Sequence, residues 1–155
     1  MTAAHVLEAA RSRSLRIAAA ESCTGGMVAA ALTDIPGSSD VFERGFVTYS
    51  NAAKEEMLGV SRATLDRYGA VSEEVAREMA EGALANSHAQ VAVAITGIAG
   101  PGGSDFKPEG RVCFGLAMQD RVTDSETQEF GPRGRDWVRL AARDHALFLL
   151  LSALR

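Results

Sequence analysis

Val91-Ala92-Val93-Ala94-Ile95 is an unbroken apolar run, far shorter than a membrane span and without the alternation of a half-exposed strand. A run of this kind is a strand covered on both faces, as in the middle of a sheet whose crossover connections lay helices on either side. The glycine-rich stretch Thr96 to Asp105 follows directly, so the strand ends in a loop of small residues. Around it, helical and extended patterns alternate. Residues 3–13 form an amphipathic helix, 15–20 a short buried strand, and 24–33 a helix with little polar face, which must be largely buried and which Thr24 can cap. A strand over 41–49 then leads into a helix opened by Ser50 or Asn51 and closed by Gly59. A short helical piece covers 61–68. Ser72 opens the clearest helix, with Glu73 and Glu74 in its first turn and an apolar stripe through Val75, Ala76, Met79, Ala80, Ala83 and Leu84. Residues 111–118 and 122–130 read as an antiparallel pair, and 135–154 as a long helix. This order predicts an α/β fold, a three-layer α/β/α domain with a mixed sheet.

With 155 residues and no repeat, linker or low-complexity segment, the chain reads as one domain, 1–155. A net charge of −4 argues against general nucleic-acid binding, which calls for a basic surface. Residues 1–20 lack the plan of a secretory signal, and no apolar run is long enough for a membrane, so a cytoplasmic location is expected. Cys23 and Cys113 stand apart with no metal-ligand spacing, which predicts two buried thiols and neither a zinc site nor a disulfide.

The chemistry-bearing stretch is Ala20-Glu21-Ser22-Cys23-Thr24-Gly25-Gly26, a loop between a strand and a helix. The first N–H groups of a helix lack intrahelical partners and sit at the positive end of its dipole, so they can hold a phosphate or an oxyanion. Ser22 needs a base to act as a nucleophile. The histidines, His5, His88 and His145, all fall in or just after helix patterns, which disfavours a Ser-His-Asp triad. Lys54 is the better base: it lies in the first turn of a helix, where the dipole lowers an amine's pKa, and Tyr49 at the preceding strand end could relay a proton. Spacing alone favours Lys54 as a solvated surface lysine and Tyr49 as a packing residue. The 96–103 loop matches neither the Walker nor the GxGxxG pattern, so it reads either as a phosphate cradle or as a wide turn.

The stretches AESCTGG (20–26), FVTYSNAAKEEMLGV (46–60), GAVSEEVAREMAEGA (69–83) and VAITGIAGPGG (93–103) resemble the C-terminal domain family of the competence-damage protein CinA, in the same order and over roughly residues 5–150. That family includes stand-alone nicotinamide-nucleotide amidohydrolases. The resemblance implies hydrolysis of the carboxamide of nicotinamide mononucleotide, without metal or organic cofactor, with Ser22 as nucleophile, Lys54 as base and Tyr49 as helper. It implies substrate contacts from Glu21, Thr24, Gly25, Gly26, Ser50, Asn51, Thr96, Gly97, Gly100 and Arg135, with an oxyanion hole near Thr24 to Gly26. Arg133 and Arg135 would supply a cation for the phosphate. Expected partners are therefore a small nucleotide, no nucleic acid and no membrane. The segment Ser104 to Arg111 departs from the family's usual GPGGGT..KPVG pattern, with Glu109 and Arg111 at positions that are usually apolar. Two competing readings are a nucleotide-binding module without catalysis and an amidase for another amide. The apolar second half of the last helix suits either internal burial or a homo-oligomer contact.

Overall fold

The computed structural model describes residues 2–104 and 106–155; Asp105, part of the expected glycine-rich loop, lies outside them. Among the described residues the strands β1 (Ile17–Glu21), β2 (Phe42–Val47), β3 (Val91–Gly97), β4 (Arg111–Met118) and β5 (Asp124–Glu129) form a single sheet in the order β2-β1-β3-β4-β5. The first three are parallel. β4 then runs antiparallel to β3, and β5 antiparallel to β4, which makes the sheet mixed as expected.

Successive residues of a strand face opposite sides, and the core divides accordingly. Ile17, Ala19, Val91, Val93, Ile95 and Phe114 pack with helices α1 (Thr2–Ser12), α2 (Met27–Thr33) and α6 (Arg135–Leu154). Ala18, Ala20, Ala92, Ala94 and Ala117 pack with α3 (Asn51–Leu58), α4 (Arg62–Tyr68) and α5 (Glu73–Ala85). Alanines dominate the second face because α5 lies close against it. At Gly115 an added Cβ would stand 2.3 Å from the carbonyl oxygen of Ala76 on α5. The three layers follow from these two apolar faces. No helix among the described residues is long and apolar enough to cross a membrane.

Ser50, Ser61 and Ser72 cap α3, α4 and α5 through their hydroxyls, and Gly59 closes α3 in the left-handed conformation at φ 71°. α2 corrects two expectations. Its N-cap is Gly26 (φ 110°) and not Thr24, and it is not largely buried, since only Val28 and Leu32 are fully covered. β2 lies at the sheet's edge and is shorter than expected, while β1 starts later and includes Glu21. In α6 the run 146–151 is not buried all round: Ala146, Leu147 and Leu150 are covered, whereas Phe148 is 56% exposed.

Candidate active site

The chain leaves β1 toward α2 on one face of the sheet and leaves β2 toward α3 on the other. In open α/β sheets a crevice forms outside the carboxyl ends of strands where connections part in this way. Ser22 follows β1, Tyr49 and Lys54 follow β2, and the glycine loop follows β3, so three strand ends meet around one cleft. The cleft encloses about 350 Å³ and is lined by Ser22, Cys23, Tyr49, Ala70, Val71, residues 97–104 and Arg135. A larger hollow of about 590 Å³ lies beside Glu73 and Lys107, where the Thr127 hydroxyl donates to the Glu73 carboxylate at 2.8 Å, and one of about 380 Å³ lies beside Leu149.

Ser22 remains tied into the sheet, its N–H donating to the carbonyl of Ile95 at 3.0 Å. Lys54 is 2% exposed, and its Nζ lies 3.2 Å from Ser22 Oγ and 2.9 Å from the Thr48 carbonyl oxygen. The solvated-lysine alternative is thereby removed. Burial among groups that carry no formal negative charge lowers the pKa of Lys54 below the usual lysine value, with the nearby Cys23 acting weakly in the other direction. A neutral amine has N–H donors and one lone pair. In that form, an amine donating to Thr48 would keep its lone pair free toward Ser22 Oγ. Cys23, beside Ser22, is pushed up to about 12 by burial, which disfavours its thiolate.

Glu21 holds the loop from below. It is buried, and its carboxylate accepts from Thr24 Oγ1 (2.6 Å), Val28 N–H (2.9 Å) and Ala29 N–H (3.0 Å). Those two amides are the first-turn donors of α2, so an internal carboxylate already fills the helix terminus that the sequence left open for a phosphate or oxyanion. Gly25 N–H turns back to the Ser22 carbonyl at 3.0 Å, and Thr24 is wholly buried. None of Thr24, Gly25 and Gly26, where the oxyanion hole is expected, lines the cleft; of the residues just after Ser22, Cys23 is the one that does.

Tyr49 is 60% exposed and does not bond to Ser22 or Lys54. Its hydroxyl accepts from Arg135 Nη2 at 2.6 Å, while Arg135 Nη1 donates to the Gly100 carbonyl at 2.8 Å, so the arginine joins two walls of the cleft. Gly97 and Gly100 line the cleft as expected. Thr96 does not: it is buried and donates to the Ala70 carbonyl at 2.8 Å, fixing the wall formed by Ala70 and Val71. Ser50 is committed to the α3 cap, Asn51 borders a separate hollow with Glu55 and Arg62, and Gly26 serves as the α2 N-cap. Gly25 is absent from the cleft lining as well. Arg133 lies over the Trp137 ring at 3.9 Å and away from the cleft.

Two supporting residues escape sequence reading. Arg139, one turn beyond Arg135, donates to the Cys23 carbonyl at 3.0 Å and the Thr24 carbonyl at 3.4 Å, clamping the Ser22 loop to α6. Its i, i+4 spacing from Arg135 is the available signal. Lys107 donates to the carbonyls of Tyr68 and Val71, tying the far side of the glycine loop to the turn before α5. The histidines take no part: His5 and His88 are exposed, and His145 bonds to Glu126 at 2.7 Å.

The family model of the CinA C-terminal domain matches residues 1–154. A protein of Enterobacter agglomerans named nicotinamide-nucleotide amidohydrolase PncC is 57% identical over 141 residues, covering 90% of this chain and 83% of its own length. A CinA-like protein of Chlorobium phaeobacteroides is 54% identical over 143 residues, covering 90% of this chain but 34% of its own length, so the chain spans about a third of that relative. In structure, the competence/damage inducible protein CihA of Agrobacterium tumefaciens superposes with a TM-score of 0.96 at 45% identity, covering 99% of this chain and 94% of that one. A CinA superfamily protein of Klebsiella pneumoniae gives 0.94 at 35% identity, with 99% and 95% coverage.

Proposed function

The chain belongs to the CinA C-terminal domain family, and on that footing we propose that it hydrolyses the carboxamide of nicotinamide mononucleotide to the carboxylate and ammonia. The name of the Enterobacter agglomerans relative supports the substrate. The observation that carries the chemistry is the buried Lys54 amine 3.2 Å from Ser22 Oγ.

In this reading Ser22 Oγ attacks the amide carbon while its proton passes to Lys54. The carbonyl oxygen gains the negative charge and faces the backbone at Cys23. As the intermediate collapses, Lys54 returns the proton to the departing nitrogen, which leaves as ammonia, and an acyl-serine remains. Water then attacks that ester, again giving a proton to Lys54, and Ser22 is regenerated with release of the carboxylate. Tyr49 and Arg135 stand at the opposite wall, where the phenol can donate to the substrate and the guanidinium can pair with its phosphate. A cytoplasmic site of action fits this substrate.

Ammonia release from nicotinamide mononucleotide tests the reading. Wild type should release it, and Ser22→Ala and Lys54→Ala should each lower turnover by a factor on the order of 10³ or more. Tight nucleotide binding without release would identify a binding module, and release only from other amides would move the substrate elsewhere. The exposed apolar residues of α6, Trp137, Leu140 and Phe148, form the surface where a second copy would pack. Light scattering should find a homo-oligomer that Leu140→Arg dissociates, and a monomeric wild type would overturn that assignment.

A further inference from the structure

The glycine loop has a carboxylate behind it. Glu109 Oε1 accepts the Gly102 N–H, and the hollow left by the missing side chain of Gly100 is filled by the same carboxyl group: a Cβ there would meet Glu109 Cδ at 2.7 Å and Oε2 at 2.9 Å. Gly100 and Gly102 both line the cleft, whereas Glu109 does not, so the carboxyl group backs the wall that substrate would touch. On its cleft side the same segment is held by a cation, Arg135 Nη1 donating to the Gly100 carbonyl. Arg135 is the one charged side chain among the described residues lining the cleft.

Backbone N–H groups in a glycine-rich turn attract phosphate because they concentrate partial positive charge without side chains in the way. Here an internal anion has taken one of those donors, and its charge lies within a few ångströms of the loop surface. We propose that Glu109 is a specificity-determining residue: it closes the glycine loop to phosphate and leaves Arg135 to receive the anionic end of the substrate. The cleft is then matched to a nucleotide carrying one phosphate, and Glu109 sets how strongly that phosphate is favoured over an uncharged ribose end. This inference rests on the amidohydrolase reading for its substrate and adds the residue that tunes the substrate's charge.

The test compares nicotinamide mononucleotide with nicotinamide riboside, which lacks the phosphate, in wild type, Glu109→Gln and Glu109→Val. Gln keeps the shape and an acceptor for Gly102 but removes the charge. Loss of a unit charge at this range should lower KM for the nucleotide by about 3- to 10-fold at low salt, with the riboside unchanged and the gain shrinking as salt rises. Val also frees the Gly102 N–H, so it should do at least as much, and thermal melts show that both variants are folded. An unchanged nucleotide KM in folded Glu109→Gln, or an equal shift for both substrates, would overturn the proposal. If wild type releases no ammonia from either compound, the amidohydrolase reading fails by itself. Calorimetric Kd values for the same two compounds then decide the Glu109 proposal independently, by the same ratio.

Discussion

At the scale of single residues, the site is governed by what burial does to charge. Lys54 sits against a hydroxyl and a carbonyl in the protein interior, so its ammonium form is penalised and its pKa lies below the usual 10.5. The sign of the consequence can be worked out. Between the lowered folded value and 10.5 the unfolded chain binds more protons than the fold, so stability rises with pH across that window and is lost as pH falls through the folded pKa. The difference in unfolding free energy between wild type and Lys54→Met should therefore slope upward toward pH 10.5; a flat difference would mean that Lys54 titrates normally. On the proposed mechanism, wild-type kcat/KM should climb with pH along a limb centred below 10.5, since there only the neutral amine would accept the Ser22 proton. Glu21 shows the opposite use of burial. Its charge is compensated by three hydrogen bonds, and it serves as scaffold for the loop that holds Ser22.

At the scale of elements, the placement of Lys54 depends on how closely α3 and α5 can approach their neighbours. Gly82 on α5 meets the Leu58 carbonyl of α3, where an added Cβ would come within 1.9 Å, and Gly115 on β4 meets the Ala76 carbonyl of α5. Both are backbone contacts that cannot yield by a rotamer change. Gly115→Ala should cost about 1–3 kcal/mol in denaturant unfolding, because α5 must move off the sheet. Gly45→Ala, on the exposed edge strand, meets the Phe42 ring at 3.3 Å, with the Ala19 carbonyl oxygen and Ala29 Cβ at the ordinary distances of 3.6 and 3.7 Å, and should stay within about 0.5 kcal/mol of wild type. Equal costs for the two would contradict this account of α5. Element type was legible because each segment has its own local signal: Ser72 with Glu73 and Glu74 opens α5, and Gly59 stops α3. α2 was misread for the same reason. Its N-cap, Gly26, offers no side chain, and its first-turn amides are instead accepted by Glu21 on the preceding strand, a partner outside the local S/T/D/N capping pattern.

At the scale of the whole molecule, the cleft exists because three parallel strands end on the same side of the sheet and their exits diverge. The sequence by itself determined the layered α/β class, through the unbroken apolar run at Val91 to Ile95 and the alternation around it, since burial on two faces requires helices on both. It also singled out Ser22, Tyr49 and Lys54 by their positions at strand ends. Tertiary structure decided what each of them touches. Lys54 meets Ser22 only when β1 and α3 come together, and Tyr49 meets Arg135 only when the N-terminus of α6 reaches the cleft. Thr96 and Ser50 are turned from the cleft because their hydroxyls bond to the Ala70 carbonyl and cap α3, and Asn51 borders a separate hollow. Local pattern fixes the type and order of elements, because hydrophobic periodicity and capping act over a few residues. The pairing of charges and hydrogen bonds is settled by contacts between segments distant in the chain, and these form only when the sheet and its two helical layers close together.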